Sequence, residues 1–336
     1  MHQNHTISIH FAKVILKCIS SDNDEIETLL LSAGMNAALF KNPRNRITPL
    51  QFSQLIKAIS KKSKDEFLGL SNKPLPLGSF SLLASNAVHC SNLQEVYKNT
   101  ELALKVMTKQ LSLKLSIEQN KASVHFQVQS TNKEAQVILT ELAMLIWHRF
   151  PSWLASKEIP LDQVCLPYDK TANSEEYPLM FSTNNISFNA KTAKIIFPLR
   201  YLDLPCQRSS LELKNYIEQL PEYWFKRAEF DRENCSVSNE CLRLIELSSN
   251  TCMVSIAEQM NRSVRTLRRD LSVEKNSFNK LKAQFLRDKA IHLITETNTS
   301  IENIANILGY TEASAFSRVF KQWTGSSPRD YRHSFV

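Results

Sequence analysis

A chain of 336 residues is longer than one ordinary domain needs, and its 43% hydrophobic and 22% charged content is that of a soluble globular protein. A formal charge of +8 favours an anionic partner, either nucleic acid or an acidic membrane surface, without choosing between them. The longest apolar run, residues 142–147, is far too short for a membrane span; Lys13 and Lys17 break the N-terminal apolar run, so no signal peptide is read and a cytoplasmic location is expected.

From residue 7 to residue 59 apolar positions recur at helical spacing, as with Leu29, Leu30 and Ala33, then Phe52, Leu55 and Ile59. Pro74, Pro76 and Gly78 punctuate a change of pattern. Residues 93–107 predict an amphipathic helix. Residues 111–117 and 124–128 alternate with period two and predict a hairpin of strands. A helix over 135–150 and short β runs at 159–166, 186–188 and 194–197 follow. The mixture predicts an α+β domain over 1–226, an effector-binding or dimerisation domain, with a pocket between the 111–128 strands and neighbouring helices. The polar stretch 226–238 marks the boundary. From residue 239 onward only helices are expected, giving an all-α C-terminal domain over 233–336.

Inside that second domain two segments resemble each other at an offset of 48 to 49 residues. The first runs Ile256-Ala257-Glu258-Gln259-Met260-Asn261, then Val264, Leu267, Arg269 and Leu271. The second runs Ile304-Ala305-Asn306-Ile307-Leu308-Gly309, then Ala313, Phe316, Arg318 and Phe320. Each reads as a helix, a tight turn and a second helix. Ala257 and Ala305 are small enough for a close helix crossing. Gly309 tolerates positive φ, and Asn261, at the matching place, is the next most tolerant residue type. Ser263 and Thr311 are positioned to cap the second helix of each unit. Phe278, Leu281, Phe285, Ala290 and Leu293 mark one face of a longer helix that joins the two units.

These residues resemble the AraC/XylS family of bacterial regulators. The resemblance is densest over 301–332, in Leu308-Gly309-Tyr310, in Phe316-Ser317-Arg318-Val319-Phe320-Lys321-Gln322-Trp323-Thr324-Gly325 and in Pro328-Arg329-Asp330-Tyr331-Arg332. The sequence departs from the family where Asn261 replaces the usual Gly, and again near Lys275. The run Phe67-Leu68-Gly69-Leu70, with Pro76-Leu77-Gly78 and the segment from Leu93, is similar to the N-terminal domain of ornithine- and arginine-type AraC regulators. The resemblance implies a sequence-specific transcription regulator, an activator, that binds the major groove of double-stranded DNA as a homodimer. It further implies control by a small-molecule effector or by dimerisation, and contact with RNA polymerase.

A recognition helix turns its polar face toward base edges. In the first unit Leu267 and Leu271 point inward, leaving Arg265, Arg268 and Arg269 outward, with Thr266 beside them. Arginine can grip guanine O6 and N7 with two hydrogen bonds, so Arg265 and Arg268 are candidate base readers; Arg269 is equally a candidate phosphate clamp. In the second unit Ala313, Ser314, Ser317 and Arg318 match the family's DNA-facing positions. Phe316, Phe320, Trp323 and Tyr331 are assigned to the core. Residues 230–336 alone are expected to bind DNA.

Other constellations point to neither metal nor cofactor nor catalysis. His2, His5 and His10 belong to a polar terminus, and Trp147-His148 to a core or interface. Cys18, Cys90, Cys165, Cys206, Cys235, Cys241 and Cys252 are scattered and form no C-x-x-C pair, so free buried thiols are expected rather than a zinc site or disulfides. No nucleophile elbow, phosphate loop or H-E-x-x-H occurs. Two alternatives stand beside the regulator. One is an architectural DNA binder without effector. The other is a DNA-repair alkyl acceptor fused to such helices, which would need clustered zinc cysteines and a Pro-Cys-His setting, whereas Pro205-Cys206 is followed by Gln207.

Overall fold

In the computed structural model of the chain the described residues are 5–170, 174–225, 236–248, 252–274 and 276–335. Most of the expected boundary stretch 226–238 lies outside them, as do His2, Cys235 and Lys275. In chain order the elements are β1 (Ile7–Ser8), α1 (Ile9–Ile19), α2 (Asn23–Ser32), β2 (Arg46–Ile47), α3 (Pro49–Ser63), α4 (Ser79–Ala87) and α5 (Leu93–Met107). Then come β3 (Leu111–Glu118), β4 (Lys121–Val128), α6 (Lys133–Leu154), β5 (Gln163–Cys165), α7 (Tyr177–Met180), β6 (Ile186–Ser187), β7 (Ala193–Pro198), α8 (Ser210–Glu218) and α9 (Glu222–Phe225). The C-terminal helices are α10 (Val237–Leu247), α11 (Met253–Gln259), α12 (Val264–Val273), α13 (Phe278–Glu296), α14 (Ile301–Ile307), α15 (Ala313–Thr324) and α16 (Pro328–Arg332).

Two compact units result. Among the described residues one gathers those of Met1–Ile9, Gly34–Gln51 and Asn234–Val336, and the other those of His10–Ala33 and Phe52–Glu233. The expected C-terminal helices therefore pack together with two short segments from the start of the chain.

The α+β unit is organised by a five-stranded sheet of order β3-β4-β7-β5-β6, antiparallel except for the β5–β6 pair. Register places Leu113 opposite Phe126 and Leu115 opposite Val124, and Val124 in turn opposite Ile195. Strand side chains alternate, so these positions share one face, and Leu113, Val124, Phe126, Ile195 and Phe197 are buried. Helix α5 packs on β3, and α6 on β4 and β7. Both helices start where an asparagine leaves the extended conformation: the Asn92 side chain accepts from Glu95 N–H and that of Asn132 from Ala135 N–H. The polar side chains buried in α6 are specific. Glu141 accepts hydroxyl bonds from Tyr168 and Tyr177, and burial pushes its carboxyl up to about 7 despite them. His148 bonds through Nε2 to the Ile159 carbonyl at 2.7 Å, and burial pushes it down to about 4, so it is a neutral core residue.

In the helical unit α10, α11, α12 and the start of α13 close on one core that includes Ile245, Ile256, Ala257, Leu267, Leu271 and Leu281. The second half of α13, with Ile291 and Ile294, faces α14, α15 and α16. The joining helix thus buries one stripe early and another late, because it serves two helix-turn-helix motifs rather than one. An aromatic ladder from Phe316 to Phe320, Tyr331 and Phe335 fills the second motif. Trp323, expected in the core with them, is only half-buried.

The two N-terminal segments complete this unit. β1 and β2 pair antiparallel, Ile7 opposite Ile47. Met35 bridges to Phe335, and Asn36 donates to the carbonyls of His333 and Ser334. Beneath them Arg46, buried, donates from Nε to Thr6 Oγ1 at 2.6 Å and from Nη2 to the Thr6 carbonyl at 2.7 Å. Thr6 donates to Asp288 Oδ1 at 2.7 Å, and Arg287 donates to the same oxygen at 2.9 Å. The Tyr331 hydroxyl accepts from Arg46 N–H and donates to the Arg46 carbonyl. A buried cation and a buried carboxylate are tolerated together because each is hydrogen-bonded as well as paired.

Candidate nucleic-acid interface

The two motifs repeat down to their hydrogen bonds. Asn261 N–H donates to the Glu258 carbonyl and Arg262 N–H to that of Ala257; 48 positions on, Gly309 donates to Asn306 and Tyr310 to Ala305. Asn261 has φ +52° and Gly309 φ +83°, the left-handed conformation that ends a helix and reverses the chain. After this turn the motifs differ by one residue. Ser263 caps α12, accepting from Thr266 N–H at 3.1 Å. In the second motif Glu312, not the expected Thr311, is the capping position of α15, and no side chain bonds the free amides there. That extra residue turns the offset from 48 into 49.

On α12, Leu267 and Leu271 are fully buried, whereas Arg265, Arg268 and Arg269 are exposed. Successive residues rotate by about 100° around a helix, so the three arginines share one face opposite the leucines. Thr266 is half-buried and its hydroxyl lies 2.9 Å from Ser263 Oγ. Asp270 binds Arg262 closely and lies 3.3 Å from Arg269 Nε. Among the described residues Arg265 and Arg268 have no acidic partner, so their guanidinium groups remain available to an incoming anion or base edge.

On α15, Ser314 and Arg318 are exposed, Ala313 and Ser317 half-buried, and Phe316 and Phe320 buried on the other side. Ser314 donates to Glu312 Oε2 at 3.0 Å. Lys321, exposed, lies one turn beyond Ser317 on the same face. Sequence reasoning passed over it, although its i+4 spacing from Ser317 was the available signal. All eight residues singled out in the sequence thus stand on the two second helices.

The α+β unit holds a separate feature, a partly open cavity of about 460 Å³. Its wall includes Leu111 and Val128 from the strands, Leu142, Ala143 and Trp147 from α6, and Trp224. The sequence placed a pocket between the 111–128 strands and neighbouring helices; of those strands only Leu111 and Val128 reach this wall, most of which comes from helices and loops outside the hairpin. Among the described residues no cluster of His, Cys, Asp and Glu is arranged to hold a metal ion. The described cysteines are free, but Cys90, Cys165 and Cys241 alone are buried, Cys252 being exposed. No helix among the described residues is long and apolar enough to cross a membrane.

Residues 25–206 match the family described as the N-terminal arabinose-binding domain of AraC transcription regulators, and residues 256–334 match a helix-turn-helix domain family. The chain is 21% identical over 329 residues to the ornithine utilization regulator of Pseudomonas aeruginosa, covering 98% of this chain and 96% of that protein. It is 33% identical over 96 residues to the DNA-binding dual transcriptional regulator Rns of Escherichia coli, 28% of this chain and 36% of that one. Among solved structures, the transcriptional regulator CdpR of Pseudomonas aeruginosa aligns with 18% identity and a TM-score of 0.30, covering 81% of this chain and 91% of CdpR. With the N-terminal family spanning more than half of its length and a doubled helix-turn-helix behind it, the chain belongs to the AraC family of transcription regulators.

Proposed function

We propose that this regulator reads its operator mainly through α12 and holds it through α15, and that occupancy of the inner cavity controls the outcome at the promoter. The observation that carries the first half is the face formed by Arg265 and Arg268, exposed, without acidic partners and backed by buried Leu267 and Leu271. Bidentate arginine–guanine contacts specify sequence, whereas contacts to phosphate mostly position the protein. Arg269, steadied by Asp270, suits phosphate, as do Arg318 and Lys321 beside the small Ala313, Ser314 and Ser317. Thr266 supplies a hydroxyl at the edge of the reading face.

The cavity supports effector control over a purely architectural role, since a DNA-bending protein has no use for a largely apolar cleft of this size. Transcription activation through RNA polymerase is the sign we assign, by analogy with relatives named as activators, such as CfaD of Escherichia coli. Homodimers in the cytoplasm, each protomer supplying one pair of recognition helices, complete the reading. The alkyl-acceptor alternative is disfavoured by Cys206, whose thiol burial pushes up to about 11, where thiolate is scarce at neutral pH.

The test is chromatin immunoprecipitation of the full chain with transcript profiling of a deletion strain, followed by footprinting on a recovered site. The expected footprint covers adjacent major-groove segments one helical turn apart, and genes beside it lose expression on deletion. Binding spread evenly over the genome, with no shared sequence, would overturn it.

A further inference from the structure

We propose that Glu312, at the leading end of α15, reads a cytosine in the major groove, its carboxylate accepting the outward hydrogen of the N4 amino group. The inference rests on the reading above that α15 engages DNA, and adds a specificity-determining residue to a helix otherwise assigned to holding. The two motifs differ at this position. In the first, Ser263 is the capping residue of α12, and its side chain is spent on the helix, accepting from Thr266 N–H at 3.1 Å. In the second, Glu312 is the capping residue of α15 and its side chain bonds none of the free amides. Its backbone is extended, at φ −133° and ψ 134°, and the residue is exposed. Oε2 accepts from Ser314 Oγ at 3.0 Å, which steadies the carboxylate beside the start of the helix; among the described residues Oε1 has neither a hydrogen-bond donor nor a cationic partner.

The N-terminal residues of a recognition helix are the ones that meet base edges. In the first turn of α15 the other side chains are Ala313, Ser314 and Ala315, all shorter, so Glu312 is the one long polar group there. A carboxylate carried between two rows of phosphates is repelled and partly desolvated, and is tolerated there only where it meets a hydrogen-bond donor. The major groove offers two on its base edges, the N4 amino group of cytosine and the N6 amino group of adenine. Adenine sets the acceptor N7 beside its amino group, which repels a carboxylate, whereas cytosine sets no acceptor beside its own. The free Oε1 can take the cytosine hydrogen in a charge-assisted bond while Oε2 keeps its bond to Ser314. An acidic residue at this place also complements the positive end of the helix, but that role makes no demand on the base sequence of the DNA.

The experiment uses the full chain, native and with Glu312→Ala or Glu312→Gln, each carried through selection from a randomised duplex pool. Fluorescence anisotropy then measures each on the selected site, on that site with every base pair in turn at the read position, and on random duplex. Circular dichroism confirms that both variants fold. The native chain should enrich cytosine at a position about one helical turn from those read by Arg265 and Arg268. Glu312→Ala should lose about tenfold of preference for cytosine there and keep its preferences elsewhere. It should also bind random duplex about two- to threefold tighter at low salt, because a charge repelled by phosphate is gone. Glu312→Gln should move the preference from cytosine to adenine, since a side-chain amide suits adenine N6 and N7. A native preference for another base at that position, or for none, would overturn the assignment to cytosine. Tighter binding to every duplex alike, with base preference unchanged in both variants, would show that Glu312 only complements its helix and would overturn the inference. Arg318→Ala and Lys321→Ala separate this failure from that of the underlying reading. If they leave affinity and salt dependence untouched, α15 does not engage DNA and the reading falls with the inference; if they weaken binding while the Glu312 variants keep the native base preference, the inference alone falls.

Discussion

Removing the Arg46 side chain should loosen the second helix-turn-helix from a distance in sequence that no local argument would suggest. Arg46 and Asp288 side chains are 6% and 5% exposed, with Nε 4.0 Å from Oδ1 and Thr6 bridging them. Arg46→Ala deletes two hydrogen bonds to Thr6 and leaves a buried carboxylate facing one cation fewer. Breaking a buried ion pair from one side costs about 3–5 kcal/mol. Arg287 still donates to Asp288 at 2.9 Å, which places the expected loss at the lower end, about 3 kcal/mol. Asp288→Asn should cost about 2 kcal/mol, since it removes charge but keeps an acceptor for Thr6. The double variant should cost at least about 1 kcal/mol less than the sum, because the second change removes the charge that the first stranded. With two units in the chain a single melting curve is ambiguous, so the assay is native-state hydrogen exchange. Amides of α13 to α16 report the effect, and those of β3, β4 and β7 serve as the internal control. Loss of protection by less than about fivefold in Arg46→Ala, or strict additivity in the double variant, would refute the reasoning.

Further outcomes are expected. Arg265→Ala or Arg268→Ala should lower affinity for the true operator by about 1–3 kcal/mol and affinity for random duplex far less. Arg318→Ala and Lys321→Ala should weaken both alike and reduce the salt slope by about 1; competition binding on native, base-substituted and random duplexes decides, and an inverted pattern would reverse the assignment of readers. Glu141 is held near 7 against an ordinary 4.5, so the fold keeps its proton; its contribution is full below 4.5 and lost as pH rises to about 7, a loss of about 3 kcal/mol. His148 runs the other way, held near 4 against 6.5, so stability is lost as pH falls from 6.5 to about 4. The two slopes oppose each other between 4.5 and 6.5, and Glu141→Gln should expose the histidine slope in urea titrations of the α+β unit's circular dichroism at stepped pH. An unchanged pH profile would show that Glu141 is ionised in the fold. Gly325, at φ +79°, ends α15 where an added Cβ would collide with the Asn42 side chain. Gly325→Ala should therefore cost about 1–2 kcal/mol for the left-handed conformation plus the displacement of Asn42, and Asn42→Gly should recover only the latter part in thermal melts.

The amino-acid sequence alone determined whatever depends on near neighbours. Apolar spacing marked α5 and β3 nearly to the residue and β4 without its first three residues, and Ser263 announced the start of α12. Asn261 and Gly309 marked two turns that repeat at the same offset, and buried Leu267 opposite Arg265 and Arg268 follows from helical rotation once α12 is recognised. These are matters of period, cap and turn, each decided within a few residues. Where a local signal was ambiguous the reading slipped, as with Thr311 for Glu312 and with Trp323, whose aromatic character said core although the end of α15 leaves it half-buried.

Only the tertiary structure decided the rest. Thr6 bonds Asp288 across 282 positions, and Arg46 bonds Tyr331 across 285. Nothing in the pattern around Arg46 distinguishes it from a surface arginine, because its burial is imposed by partners that arrive from the far end of the chain. A fragment beginning at residue 230 would carry both recognition helices but lack this completing piece. Glu141 likewise reads as one polar position on an apolar helix until Tyr168 and Tyr177 are folded onto it. The cavity is the extreme case, since its wall is drawn from residue 56 to residue 225 and exists only where those elements meet. Local preferences follow from backbone sterics and helical or strand period, which the sequence carries directly. Contacts at long separation depend on which surfaces close on one another, and that is a property of the packed chain.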